Sequence, residues 1–165
     1  APDLDRDAQQ RIQQLAAAIA EDLDVVGMLA VELFETAGGE VLVNELAMRP
    51  HNTGHWSMDG AVTGQFEQHL RAVADLPLGA TDMLAPCAVM VNLLGGAASE
   101  LFTGAHAAME ADPGVKVHLY GKSVRPGRKL GHVTVVGKDP EQLLARAHRA
   151  EKRIIDGPDA MEENP

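Results

Sequence analysis

Two glutamates stand alone on apolar stretches that look like strands. Residues Gly27 to Glu35 and Glu40 to Ala47 are rich in Val and Leu and flank Thr36-Ala37-Gly38-Gly39, a pattern that predicts a β-hairpin. Strand side chains alternate between faces, so Glu32 shares a face with Met28, Ala30 and Phe34, and Glu45 with Val41, Val43 and Ala47. If the closing loop holds an even number of residues, Gly38-Gly39 or Ala37 to Glu40, paired positions sum to 32 + 45 = 77 and the two glutamates face each other. Opposed side chains have Cβ atoms ~5 Å apart, where two like charges destabilise a sheet unless something offsets them. A divalent cation would do so, and magnesium suits best, because it takes one or two carboxylates together with the phosphate oxygens of a nucleotide. Asn44 beside Glu45 could add an amide oxygen. A single strand glutamate reads as a solvated edge residue, whereas two in register argue for a site. Glycosidase chemistry also uses paired acids, but it needs aromatic platforms for sugar and aromatics are only 3% of this chain.

Directly after the second strand comes Arg49-Pro50-His51-Asn52-Thr53-Gly54-His55-Trp56. Arg49 could clamp an anion with two donors beside the titratable His51. His51 and His55 have HxxxH spacing, yet the glutamate of HExxH is missing and Pro50 and Gly54 disfavour the helix that zinc proteases use. A second cluster lies further on. Between Asp112 and Asp139 there is no acidic residue, while Lys116, Lys122, Arg125, Arg128, Lys129 and Lys138 supply six of the 14 bases. Glycines 121, 127 and 131 are interleaved with these cations, a composition that lets backbone approach a phosphate closely while Lys and Arg supply charge. Nucleic acid is a weaker reading, since only Tyr120 could stack nearby and the chain carries a net charge of −10.

Several elements must position these groups. Asp5 to Leu23 has the apolar spacing of an amphipathic helix, and Ala61 to Ala74 is expected to be helical up to the Leu76-Pro77-Leu78-Gly79 break. Short β-type runs follow at Ala88 to Leu94, Val115 to Tyr120 and His132 to Val136, with a small helix around Ser99 to Ala111 and a longer one from Pro140 to about Ile154. The acidic tail Gly157 to Pro165 is expected to fray. The whole predicts an α+β fold with a seam near Leu76 to Thr81. At 45% hydrophobic and 23% charged, 165 residues can bury a core, and no uncharged apolar run is long enough to span a membrane. The single Cys87 forms no internal disulfide and no secretory leader pattern is visible, so a cytoplasmic protein is expected. The start at Ala1-Pro2, close to a helix, suggests a piece of a longer or processed chain.

The string Val43-Asn44-Glu45-Leu46-Ala47-Met48-Arg49-Pro50-His51-Asn52-Thr53-Gly54-His55-Trp56, then Gln65-Phe66-Glu67-Gln68-His69-Leu70-Arg71-Ala72-Val73, then Tyr120-Gly121-Lys122 with Arg125-Pro126-Gly127-Arg128-Lys129-Leu130-Gly131-His132, closely resembles the 5-(carboxyamino)imidazole ribonucleotide synthases, ATP-grasp ligases of purine biosynthesis. Met48 stands where that family usually has proline and Thr53 where it usually has serine; neither change removes a charged or metal-binding group. The resemblance implies that Glu32 and Glu45 hold magnesium on ATP with Asn44 alongside. It implies that Arg49 and His51, with Asn52 as neighbour, face bicarbonate or the carboxyphosphate made from it. Lys122 and Arg128 would hold the 5′-phosphate of aminoimidazole ribonucleotide, with Arg125 and Lys129 close enough to share the role.

The resemblance also implies what is missing. Residues 1–78 would be the C-terminal portion of an ATP-grasp domain and 79–165 a small β-rich domain ending in a helix. The adenine-binding segment, the glycine-rich phosphate loop and an N-terminal α/β domain would lie upstream. A polypeptide of these residues alone is then expected to be inactive, and the family suggests a homodimer. Three other readings share some of the features: a different ATP-grasp carboxylase or formyl-group ligase, a non-catalytic anion-binding or dimerisation module, and a zinc hydrolase built on His51 and His55.

Overall fold

The computed structural model describes residues 6–160. In chain order the elements are α1 (Arg6–Asp22), β1 (Ala30–Glu35), β2 (Val41–Ala47), a 3-10 turn (Asn52–Gly54), α2 (Ser57–Gly60), α3 (Gln65–Val73), β3 (Cys87–Leu94), α4 (Phe102–Ala111), β4 (Lys116–Leu119), β5 (Lys129–Gly137) and α5 (Pro140–Asp156). The fold is α+β, as the patterning implies. The start of the first helix at Asp5 and the tail from 161 lie outside the described residues. The chain divides into two compact units, one of residues up to 55 with 65–80, the other of 56–64 with residues from 81.

The first unit is built on an antiparallel β1–β2 hairpin with α1 and α3. Its apolar positions are correctly patterned but poorly covered. No residue of α1 is buried, Ala47 is the one buried residue of the two strands, and Phe34 is 60% exposed. A two-stranded sheet is marginal alone, and polar ties do much of the fastening here. His69 Nδ1 accepts from Met28 N–H at 3.1 Å, and the Gln68 side chain bonds Gly79 in both directions at 2.8 and 2.9 Å. Gly27 sits at φ +105°, and a Cβ there would strike the His69 ring.

The helix expected from Ala61 begins instead at Gln65. Ala61 pairs with Met83, Val62 N–H donates to Asp82 O, and Leu84 N–H donates to Gly60 O. Backbone groups spent on that strand-like pairing cannot also close helical turns.

The second unit carries a real core. Three antiparallel strands lie in the order β3-β5-β4, so the central strand is β5, from Lys129 to Gly137. Val133 and Val135, both fully buried, join Leu101, Ala105 and Ala108 from α4 and its approach, and Leu143, Ala147, Ala150 and Ile154 from α5. Those α5 positions recur at helical spacing, which makes one continuous apolar stripe. Asp139 caps α5, its carboxylate accepting from the N–H groups of Glu141 and Gln142, with Pro140 opening the first turn. His132 and Thr134 alternate with the valines and so point to the opposite sheet face. On that face Gly60 of α2 comes up against Ala88. Cys87 is a free, half-buried thiol packed against the core.

Asp112, just past α4, receives Arg146 of α5 through two hydrogen bonds of 2.7 and 2.9 Å. The Arg146 hydrogen bond is the main cause holding the Asp112 carboxyl below its usual range. A depressed carboxylate stabilises the fold while it is ionised. The pair's contribution is therefore present above the ordinary carboxylate range and lost as pH falls through the depressed pKa. Both groups are about 30% exposed, so Asp112→Asn is expected to cost only about 1 kcal/mol at neutral pH. Chemical denaturation at pH 7 and at successively lower pH checks this: the mutant and wild type should differ at pH 7, and the difference should shrink as pH falls below the ordinary carboxylate range.

Candidate functional site

Glu32 and Glu45 are cross-strand partners, as expected, but the loop between the strands is not even. The turn is odd: Thr36 N–H donates to Glu40 O and Gly39 N–H to Thr36 O, leaving Ala37-Gly38-Gly39 as a three-residue loop with Gly39 at φ +81°. Near the turn the partners are Leu33 with Val43, Phe34 with Leu42 and Glu35 with Val41, sums of 76. One residue, Asn44, is then extra. This bulge shifts the register and brings Glu32 opposite Glu45. It also turns Asn44 toward the acids, where its Nδ2 donates to Glu32 Oε2 at 3.3 Å.

His51 completes the group on Glu32. Its Nδ1 caps the 3-10 turn by accepting from Thr53 N–H, which leaves the proton on Nε2, and Nε2 lies 3.4 Å from Glu32 Oε1. The Glu45 carboxylate takes no hydrogen-bond or ion-pair partner among the described residues, and Arg49 is exposed with its Nη1 donating to Pro50 O at 3.1 Å. Asn52 lies in the same turn, its carbonyl accepting from His55 N–H. The structure thus brings Glu32, Glu45, Asn44 and His51 together, with Arg49 and Asn52 on the adjoining loop.

A residue that spacing alone does not single out holds this loop. Gln65, 3% exposed, accepts from His51 N–H at 2.9 Å, while its Nε2 donates to His51 O at 2.9 Å and to His55 Nδ1 at 2.7 Å. Its amide therefore pairs with a loop backbone as a neighbouring strand would. His55 Nδ1 is occupied as an acceptor, which takes it out of an HxxxH metal pair. Gly54 is required because a Cβ there would collide with the Gln65 amide. Gly54→Ala is expected to displace that amide and cost about 2 kcal/mol. Its check is the Gln65 side-chain NH₂ signals in a ¹⁵N spectrum together with the melting temperature; unmoved signals would contradict the arrangement.

The basic cluster belongs to the second unit, in the loop between β4 and β5. Tyr120 N–H donates to Leu130 O at 2.8 Å, and Gly121 and Gly127 turn the chain at φ +65° and +70°. Gly127 N–H donates to Gly95 O, and Gly95 N–H donates to Arg128 O, which pins the loop beside the end of β3. Arg128, exposed, folds back on its own loop, donating from Nη1 to Ser123 Oγ at 2.9 Å and Ser123 O at 3.3 Å. Lys122 Nζ lies 5.4 Å from the centre of the Tyr120 ring. Desolvation first, and then the Lys122 charge, lowers the Lys129 pKa. Among the described residues no carboxylate pairs with Lys122 or Arg125. The Lys122 charge set near Lys129 is a like-charge cost to the folded chain that a bound anion would relieve.

Beneath this loop, across β4 and β5, His118 pairs in register with His132. Nε2 of His118 lies 2.7 Å from Asp59 Oδ2, and Nδ1 of His132 lies 2.7 Å from the Tyr120 hydroxyl. Ligand atoms of Asp59, His118 and His132 all lie within 4.8 Å of one another, but the two imidazoles are stacked at 4.5 Å and 17°. A metal must lie in the plane of each ring that ligates it. Near-parallel planes that far apart offer no shared point, so the trio is a hydrogen-bonded stack and not a metal centre.

The sequence matches the ATP-grasp domain over residues 1–66 and the phosphoribosylaminoimidazole carboxylase C-terminal domain over residues 88–146. It is 54% identical over 153 residues to the N5-carboxyaminoimidazole ribonucleotide synthase of Mycobacterium tuberculosis H37Rv, covering 91% of this chain and 36% of the relative. The Bacillus subtilis synthase is 48% identical over 139 residues, covering 84% of this chain and 35% of that protein. Among solved structures, the Thermotoga maritima synthetase superposes with TM-score 0.77 at 44% identity, over 91% of this chain and 42% of that one. The Aspergillus clavatus synthase, solved in complex with ADP and 5-aminoimidazole ribonucleotide, gives TM-score 0.77 at 31% identity over 91% of this chain and 41% of its own. The chain therefore spans little more than a third of the curated relatives it matches, and over that span it is similar to the N5-carboxyaminoimidazole ribonucleotide synthases, with matches to the ATP-grasp domain and to the phosphoribosylaminoimidazole carboxylase C-terminal domain.

Proposed function

We propose that this chain supplies the metal-nucleotide carboxylates, the bicarbonate loop and the substrate-phosphate site of an N5-carboxyaminoimidazole ribonucleotide synthase. One observation carries this reading: Glu32 and Glu45 are register partners, with Asn44 bulged toward them and His51 set against Glu32. Hard oxygen donors in a pair, with one carboxylate left without a protein partner, fit magnesium held together with nucleotide phosphates. Magnesium bound there would offset charge on the phosphoryl oxygens of ATP. Arg49, His51 and Asn52 would orient bicarbonate, whose oxygen takes the phosphoryl group as ADP leaves. Carboxyphosphate then splits to phosphate and carbon dioxide, and the amine of aminoimidazole ribonucleotide adds to that carbon and gives up a proton. Lys122 and Arg128 would hold the 5′-phosphate, with Arg125 and Lys129 close enough to share the role, and Nη1 of Arg128 also ties the loop to Ser123.

On this reading residues 1–78 end an ATP-grasp domain and residues 79–165 form the C-terminal domain, with 56–64 packing into the second unit. The protein acts in the cytoplasm as a homodimer. By itself the 165-residue polypeptide does not turn over, because family members also take nucleotide-binding groups from upstream of the matched region. The test is a chimera in which these residues replace the matching part of the Mycobacterium tuberculosis relative. ATP- and bicarbonate-dependent carboxylation by the chimera, and none by the 165 residues alone, is the expected result. A stably folded but inactive chimera would count against the assignment, and activity of the polypeptide alone would count against its incompleteness.

A further inference from the structure

We propose that Tyr120, anchored by His132, is a positioning residue that holds the Lys122 ammonium in place to receive a phosphate. The inference rests on the phosphate-site reading above but concerns residues to which that reading gives no role. Lys122 follows a glycine at φ +65° in an exposed loop, where a four-carbon side chain would otherwise sample many rotamers. It is instead 5.4 Å from the Tyr120 ring centre, within cation–π range.

The ring is in turn held at both ends. The Tyr120 backbone N–H is bonded to Leu130 O, and its hydroxyl meets His132 Nδ1 at 2.7 Å. His132 cannot swing, being 1% exposed and stacked on His118, which Asp59 holds at 2.7 Å. A half-buried chain of contacts from α2 along one face of the sheet thus ends on the aromatic face beneath the cation. An ammonium ordered in advance loses less freedom when it binds an anion. Tyr120 also leaves the charge available, because a ring face attracts a cation without neutralising it as a carboxylate would.

The test uses the 165-residue chain, with the Lys122 side-chain CH₂ε shifts and the dissociation constant for ribose 5-phosphate as readouts. In wild type the Tyr120 ring current displaces the CH₂ε protons upfield. Tyr120→Leu should abolish that displacement and weaken ribose 5-phosphate about 5-fold, the size of one exposed cation–π contact. Tyr120→Phe keeps the ring but loses the anchor, and should fall between the two. In a Lys122→Ala background Tyr120→Leu should have no further effect on affinity, whereas a merely structural role would lower it equally in both backgrounds. Unchanged Lys122 shifts in Tyr120→Leu, or equal losses in both backgrounds, would overturn the proposal. Tyr120→Phe indistinguishable from wild type would remove His132 from it. If Lys122→Ala itself leaves ribose 5-phosphate binding unchanged, the phosphate reading fails, and the CH₂ε shifts still decide whether Tyr120 positions the lysine.

Discussion

Glu45→Gln in the chimeric synthase is expected to lower kcat about 10²- to 10³-fold while leaving the KM for aminoimidazole ribonucleotide within about 2-fold of wild type. The substitution is nearly isosteric and the side chain is exposed on the sheet, so the hairpin should keep its register. What it removes is one of two opposed charges. The unliganded hairpin, relieved of like-charge repulsion, should if anything become slightly more stable. Lost activity with retained or raised stability is a combination that a damaged fold does not give. Steady-state rates at saturating and limiting magnesium, beside a thermal melt, check it: the mutant should need more magnesium, and an unchanged magnesium requirement would exclude Glu45 as a ligand.

The second large effect concerns stability. At Gly104 helix α4 crosses α5 so closely that a Cβ would meet Arg153 O and lie 2.7 Å from Ile154 Cα. Both obstacles are backbone, which cannot rotate away as a side chain can. Gly104→Val must push the helices apart and loosen Ala105, Ala108, Ala150 and Ile154, all nearly completely buried. Better helix propensity returns well under 1 kcal/mol. Overpacking of this kind typically costs about 1 to 3 kcal/mol, and a backbone obstacle puts the expectation near the upper figure. Urea unfolding followed by α5 fluorescence labels should show a lower midpoint, and an unchanged midpoint would mean that the helix crossing is looser than the structure gives.

Much of this was legible in the residues. Alternation placed both strands of the hairpin, Pro140 placed the start of α5, and charge counting located the basic loop. The Glu32–Glu45 pairing was also reached, but through a false premise: an even loop without a bulge gives the same sum as the odd loop with Asn44 inserted. Sequence alternation cannot detect an extra residue when two departures cancel. The helix start at Gln65 was missed because Ala61 and Val62 pair with Asp82 and Met83, a long-range choice that local pattern does not carry. The role of Gln65 in holding the loop is not carried by spacing for a similar reason. A glutamine opening a helix looks solvent-facing until the loop of His51 and His55 is folded over it. Nor does spacing reveal that His118 and His132 would stack, since that depends on the register of β4 against β5. The exposed apolar positions of the first unit show the converse case: the amphipathic pattern was right about secondary structure, and burial depends on what lies against it.

The central claim is that the glutamate pair and the basic loop serve different substrates. It is tested most directly by measuring KM for ATP and for aminoimidazole ribonucleotide in the chimera carrying Lys122→Ala. Loss of one charged hydrogen-bonding group should raise KM for aminoimidazole ribonucleotide about 10- to 100-fold, with KM for ATP within about 2-fold. An unchanged KM for aminoimidazole ribonucleotide, or a rise confined to ATP, would contradict the account.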